Sequence, residues 1–231
     1  YEILEAIKQL KNKEGNKYDV NLVKSEFQKP IKLNKGNWYP KDKLKNKEIL
    51  LLSSGPKLYE FKKEIEKFII KKKPYVIALN TKVKINKKLI DLYVACNPLK
   101  LMSEVNQYKN ITSPLVAPIS LFSNQIRKKL KKIKIFNFGI GLKDGSFKFY
   151  KSCSNIPKLY TVAYALSVVA SGKARKIYLA GFDGYEKSDR RLKIVDGIFQ
   201  NYLRTKGTPS ITAITPSIYN VQKKSIYTLW F

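Results

Sequence analysis

The chain has 231 residues, 44% hydrophobic and 27% charged, which is enough apolar material for one well-buried core beneath an ordinary charged surface. Histidine is absent and cysteine occurs only at Cys96 and Cys153. That excludes His-based zinc sites, Ser-His-Asp triads, a histidine general base and a disulfide framework, and no apolar run approaches the ~18 residues of a membrane span.

The net charge of +29 raises nucleic acid as a partner. The excess, however, is almost all lysine, with arginine confined to Arg127, Arg175, Arg190, Arg191 and Arg204. The lysines are spread over every segment rather than gathered in a stripe, beside plentiful Asn, Ile and Tyr, as an AT-rich genome produces. Nucleic acid is therefore not expected as the main partner. A basic field acts on any anion, so anionic ligands and an anionic membrane surface stay open. Two cysteines without metal-ligand spacing imply a reducing, cytoplasmic setting, with the inner membrane face open as a location. Methionine occurs only at Met102, so Tyr1 is no initiator and the sequence is expected to be part of a longer polypeptide.

Residues 1–46 differ in character from the rest of the chain. Ile3, Leu4, Ile7 and Leu10 have helical spacing, after which Lys, Asn and Gly dominate, and Asn34 to Pro40 reads as a loop with the aromatic anchors Trp38 and Tyr39. This segment is expected to be a linker or the tail of an upstream domain packed onto a domain at 47–231. From Glu48 an alternation of strands and helices begins. Strands are predicted at 48–53, 74–79, 91–96, 115–117, 134–138, 177–180 and, as the last, 211–214. Helices are predicted at 58–72, 99–108, from a Ser120 cap to Leu130, at 159–171 closed by Gly172, and from Asp189 to Arg204, with 139–146 a loop. The alternation implies an α/β fold: a three-layer, mostly parallel Rossmann-like sheet with helices on both faces.

Ligands of open parallel sheets collect at the carboxyl ends of the strands. There the chain turns repeatedly from apolar to small, hydrogen-bonding residues: Ser53 to Pro56, Asn80-Thr81, Asn97-Pro98, Asp183 to Tyr185 and Thr215 to Ser217. A polar ligand cleft is expected along that edge. Gly55 lets backbone approach a ligand, and the helix start after it is expected to offer free N–H groups to a phosphate. Asn80 and Asn97 suit a base or sugar edge. Asp183 suits ribose or sugar hydroxyls and Tyr185 a phosphate oxygen. Thr161 either caps its helix or meets a phosphate.

The set Ser54-Gly55-Pro56, Asn80, Asn97-Pro98 and Ile177-Tyr178-Leu179-Ala180-Gly181-Phe182-Asp183-Gly184-Tyr185 resembles the bacterial CMP-sialic-acid-dependent sialyltransferases. It is similar also to the wider group of motility-associated flagellin glycosyltransferases and hydroxymethylpterin pyrophosphokinase-like proteins. The resemblance covers residues 48 to 220 through short motifs. It implies a metal-independent glycosyltransferase-like domain that binds a CMP-linked acidic sugar as co-substrate, with no resident cofactor. The acceptor would be a glycan or glycoprotein in surface-polymer synthesis. Ser54, Gly55, Pro56, Asn80, Asn97, Thr161 and Gly181 would hold the nucleotide, and Asp183 the sugar or ribose. Tyr185 would assist the departing phosphate.

The chain departs from that group in its first loop, which runs Ser53 to Lys57 where the group has Gly-x-Gly-Pro-Ser. It departs again at Leu159-Tyr160-Thr161, where the group has Thr-Ser-Gly, and in lacking the base histidine. A transferase would need another base, with Asp189, Glu186 or Asp196 as candidates, and Lys57 and Lys187 lie on loops where they could meet the phosphate. The alternatives are a pterin pyrophosphokinase-like enzyme, which would need an acidic metal cluster drawn from Asp183, Glu186 and Asp189, and a non-catalytic nucleotide- or anion-binding module.

Overall fold

A computed structural model describes residues 31–229; the helix expected from Ile3 to Leu10 lies outside them. In chain order the elements begin with a short helix α1 (Lys41–Leu44), β1 (Glu48–Leu52), α2 (Pro56–Glu60), α3 (Lys62–Lys72), β2 (Tyr75–Leu79) and β3 (Leu92–Val94). Next come α4 (Pro98–Ser103), α5 (Val105–Tyr108), β4 (Leu115–Ala117), α6 (Asn124–Leu130) and β5 (Ile135–Asn137). The strands β6 (Gly139–Leu142), β7 (Lys148–Phe149) and β8 (Cys153–Ile156) come after them. The chain then forms α7 (Thr161–Ser171), β9 (Lys176–Ala180), α8 (Arg190–Arg204), β10 (Ser210–Ala213) and β11 (Gln222–Lys223).

Eight strands form one parallel sheet in the order β11-β10-β9-β1-β2-β3-β4-β5. β1 is its centre because both its faces are apolar. Ile49 and Leu51 enter one core with α7 and α8, while Leu50 and Leu52 enter a second core with α2, α3 and the helices after β3 and β4. Strands buried on both faces read as continuous apolar runs, as β1, β2 and β9 do. The chain winds from β1 outward through β2 to β5, then returns to place β9 on the other side of β1. The strand order therefore reverses between β1 and β9, and an open crevice forms at such a switch. The α/β three-layer reading of the sequence is the architecture found.

Several expected boundaries move for local reasons. The helix over 58–72 divides at Phe61 (φ −96°, ψ 18°), and the one over 99–108 divides at Glu104, whose side chain turns inward to accept a hydrogen bond from Thr81. Ser120 does not cap α6. Its hydroxyl accepts from the Asn137 amide, and Ser123 accepts from the Ile126 N–H instead. α7 starts at Thr161 rather than Leu159 and ends at Gly172, but the left-handed residue after it is Lys173 (φ 55°). Gly172 is small because Leu44 of α1 packs on it, 2.7 Å from where a Cβ would stand.

The loop expected at 139–146 begins as a strand. β6 pairs in parallel with β8, and β7 joins it antiparallel, in a second, three-stranded sheet. Residues 31–38 run along this sheet. The amides of Asn34 and Gly36 donate to Ile140 and Ser152 carbonyls, and the Trp38 ring stacks on Phe136 with centroids 5.0 Å apart. β10 is not the last strand either, since β11 pairs with it through Thr212 and Ala213.

Candidate functional site

At the switch, the turns after β1 and β9 are locked together. The Gly55 N–H donates to the Gly181 carbonyl at 3.0 Å, and the Gly181 N–H donates to Thr215 Oγ1 at 3.0 Å. A Cβ on Gly55 would stand 2.5 Å from the Gly181 oxygen and 2.7 Å from Asp183 Cγ. Gly181 adopts φ +73°, and a Cβ there would meet the Ser53 carbonyl at 2.4 Å. Both glycines are thus set by close approach of two backbones. Gly181, expected to touch the nucleotide, is itself buried with its N–H and carbonyl engaged.

Asp183 completes the lock. Its Oδ2 accepts from the Lys57 N–H at 2.6 Å, and its Oδ1 is buried without a hydrogen-bond partner among the described residues. Burial raises its carboxyl above the ordinary aspartate range, opposed by the Lys57 N–H. The expectation of free N–H groups for a phosphate at this helix start is therefore corrected. Gly55 donates to Gly181, Pro56 has no N–H, and Lys57 donates to a carboxylate that occupies the anion's place. Exposed Ser54 and Pro56 remain on the rim. The Lys57 ammonium pairs with Glu60 at 2.6 Å.

Beside this lock, β2, β3 and α7 converge. Asn80 takes a left-handed conformation (φ 59°) after β2, its N–H donating to the Val94 carbonyl at 2.9 Å. That conformation turns its side chain toward α7, where Oδ1 accepts from Thr161 Oγ1 at a long 3.5 Å. Thr161 Oγ1 in turn lies 4.0 Å from Cys96 Sγ. Burial pushes the Cys96 thiol up to about 12, so it packs rather than reacts. Thr161 occupies the first helical position and is not the cap; Tyr160 is, and no side chain caps the helix. Asn97 Oδ1 accepts from the Lys100 N–H at 3.3 Å. Burial lowers the Lys100 ammonium, with Glu104 opposing that shift.

The third wall runs from the β9 tip into α8. Asp189 caps α8, its Oδ1 accepting from the Arg191 N–H at 2.8 Å. Its carboxylate also accepts from Arg191 Nε at 3.0 Å and from Nη2 at 2.5 Å. Those bonds hold the Asp189 carboxyl below its usual range, which makes it a poorer proton acceptor than the free base expected from the sequence. The Arg191 guanidinium lies over the Tyr185 ring at 4.4 Å. Asp196 accepts from the Asn220 N–H at 2.8 Å, while Glu186 and Lys187 are exposed. Ile218 seats over Gly184 (φ +110°) and donates its N–H to the Asp183 carbonyl, which fixes the loop carrying Tyr185. Arg191 was not singled out by sequence reasoning, and Thr215 was named only as part of the polar edge. An Asp two residues before an Arg at a helix start was the available signal for the first.

No family model matches the chain, and no curated protein matches it. Among solved structures one likeness is informative. The fold is similar to that of the MAf glycosyltransferase from Magnetospirillum magneticum AMB-1. The TM-score is 0.59 at 9% sequence identity, over 88% of this chain and 37% of the MAf chain. At that identity the likeness is one of fold, and this chain spans little more than a third of the MAf protein's length.

A groove of about 670 Å³ opens on the opposite edge, between Lys47, Glu48, Tyr75, Asp91 and Arg175. Its acids are already engaged, Asp91 by the Val76 N–H and Glu48 by Arg175. Lys72 and Lys73 at the carboxyl end of α3, and Lys88, complete its basic lining. Among the described residues no group of three or more His, Cys, Asp or Glu side chains could hold a metal ion, and no helix is long and apolar enough to cross a membrane.

Proposed function

We propose that this domain binds a CMP-linked acidic sugar in the crevice outside β1 and β9 and transfers the sugar to a glycan or glycoprotein acceptor. The observation that carries the reading is the switch itself: two turns locked through Gly55 and Asp183, with Asn80, Thr161 and Tyr185 on the walls around them. The likeness to the MAf glycosyltransferase supports the reading at the level of fold.

Within it, Asn80 and Asn97 hold the nucleotide. Its phosphate lies at the start of α7, where no side chain competes for the first N–H groups, and the Thr161 hydroxyl would exchange its long bond to Asn80 to add a donor. Ser54, Gly55 and Pro56 shape the rim, where the Gly55 N–H is engaged by Gly181 and Pro56 has none. Asp183 would have to exchange its Lys57 bond for a substrate hydroxyl to act on the sugar. Tyr185 donates to the departing phosphate. With Asp189 paired, exposed Glu186 is the carboxylate left to assist the acceptor hydroxyl. The pterin pyrophosphokinase alternative gains nothing from this geometry, because Asp183 faces Lys57 and Asp189 faces Arg191. The locked switch fits a binding module equally, and turnover is what separates the two.

Calorimetric titration with CMP, CTP, UDP and ATP at low and high salt tests the reading. Selective CMP binding that persists at high salt is expected. Binding of all four that vanishes with salt would report only the +29 surface and overturn it.

A further inference from the structure

We propose that Arg191 binds an oxyanion of the substrate in this crevice, with Asp189 and Tyr185 as the residues that position it. The inference rests on the nucleotide-sugar reading of the same site and names the residue that meets the charge.

Two independent contacts fix the guanidinium. Asp189 grips one edge through Nε and Nη2, and the Tyr185 ring supports one face at 4.4 Å. A long cation would normally lose much rotamer freedom on binding an anion, and here part of that loss is already taken in the unbound protein. The remaining edge, with the second terminal nitrogen, makes no hydrogen bond to the described residues. The side chain is still 57% exposed. Tyr160, the cap residue of α7, lies close enough to act on Arg191 electrostatically, as does Tyr185. Arg191 is carried by the first turn of α8 and held at the β9 tip through the Tyr185 ring.

The other arginines with assigned bonds are used elsewhere. Arg127 donates to the Phe122 and Ser120 carbonyls, and Arg175 pairs with Glu48 on the far edge. The planar fork of a guanidinium matches the two oxygens of a carboxylate or phosphate, whereas a lysine offers a point charge. In a chain whose cations are mostly lysine, Arg191 offers such a fork already held in place by Asp189. Asp189 then serves as the counter-ion that aims Arg191 rather than as the proton acceptor.

The test reads the Arg191 Nε–H resonance, assigned by its loss in Arg191→Lys, during titration with inorganic phosphate, N-acetylneuraminate and CMP. Arg204 is the surface control. Selective movement of the Arg191 signal with phosphate and CMP identifies a phosphate as the bound group. Movement with N-acetylneuraminate alone identifies the sugar carboxylate. In either case Arg191→Lys weakens the same ligand about 10- to 100-fold, the range for charge-assisted hydrogen bonds. Arg191 responding to none of the three more than Arg204 overturns the proposal. A selective response to phosphate or N-acetylneuraminate without any calorimetric binding of CMP would keep the oxyanion site and reject the nucleotide reading instead.

Discussion

Asp183 Oδ2 accepts the backbone N–H of Lys57 at 2.6 Å, joining the end of β9 to the first turn after β1 across the point where the strand order reverses. A helix start that could have received a substrate phosphate receives a carboxylate of the protein itself. In the proposed reading, anion binding therefore falls to the start of α7 and to Arg191.

Replacing Asp183 separates its hydrogen bond from its charge. Asp183→Ala removes the acceptor and is expected to cost ~1 kcal/mol, as loss of a helix cap does. Asp183→Asn keeps an acceptor without the charge. Because burial raises the folded carboxyl, its favourable contribution is present below the unfolded value and lost as pH rises through the folded one. At pH 7 the Asn variant is therefore expected to be at least as stable as the parent, with its advantage shrinking in acid. Urea unfolding at pH 7 and at acid pH checks this. An Asn variant weakened only at neutral pH would mean that the charge stabilises the crevice.

Gly55 and Gly197 make a matched pair. A methyl at Gly55 would press on the Gly181 carbonyl and Asp183, neither of which can yield without opening the lock. Gly55→Ala is expected to cost ~1–3 kcal/mol, the range for overpacking, and to weaken CMP binding with it. Gly197 lies within α8 with nothing near its missing Cβ, so Gly197→Ala should stabilise by ~0.5–1 kcal/mol. Thermal unfolding of both variants reads the two signs. A Gly55→Ala protein as stable as Gly197→Ala would show that the two turns are not locked.

Much of this fold was legible because β1, β2 and β9 are apolar on both faces and end in polar turns, a pattern that needs no partner to recognise. β6 was not. Gly139 and Gly141 give it no alternation, and it becomes a strand by pairing with β8, while residues 33–36 pass so close that a Cβ on Gly139 would fall 1.8 Å from the Asn34 oxygen. The site divides in the same way. Asn80 and Thr161 stood at strand and helix ends that sequence alone could place. The inward turn of Asp183 and the Asp189–Arg191 grip depend on which loops meet across the sheet, and local sequence does not encode that meeting.

Both thiols should be silent in the native state. Cys96 is fully buried with its thiol pushed up to about 12, and burial also raises Cys153. Ellman's reagent at pH 8 is expected to label neither until denaturant is added. Prompt labelling of Cys96 would show that the Thr161 wall opens and exposes the thiol.

Thr161→Val removes the hydroxyl that Asn80 accepts from while keeping the helix start in shape. A single hydrogen bond of ~0.5–1.5 kcal/mol predicts a loss of CMP affinity of roughly 2- to 13-fold, with little change in melting temperature. An unchanged affinity would move the phosphate away from α7.

Tyr185 carries two separable roles. Its ring supports the Arg191 guanidinium at 4.4 Å, and its hydroxyl is the donor proposed for the departing phosphate. Tyr185→Phe keeps the ring, so Arg191 stays in place and affinity for a CMP-linked acidic sugar should hold within about 2-fold. Release of CMP, followed with water as acceptor, should fall about 100-fold, the scale on which loss of one oxyanion donor acts. Tyr185→Leu removes ring and hydroxyl together. It is expected to lose the same turnover and, in addition, a few-fold in affinity, because a cation–π contact at an exposed site contributes ~0.5–1 kcal/mol. Equal turnover in Tyr185→Phe and the parent would remove the hydroxyl from the reaction and leave the residue only its hold on Arg191. No turnover in any of the three proteins, with CMP binding intact, would favour the binding module over the transferase.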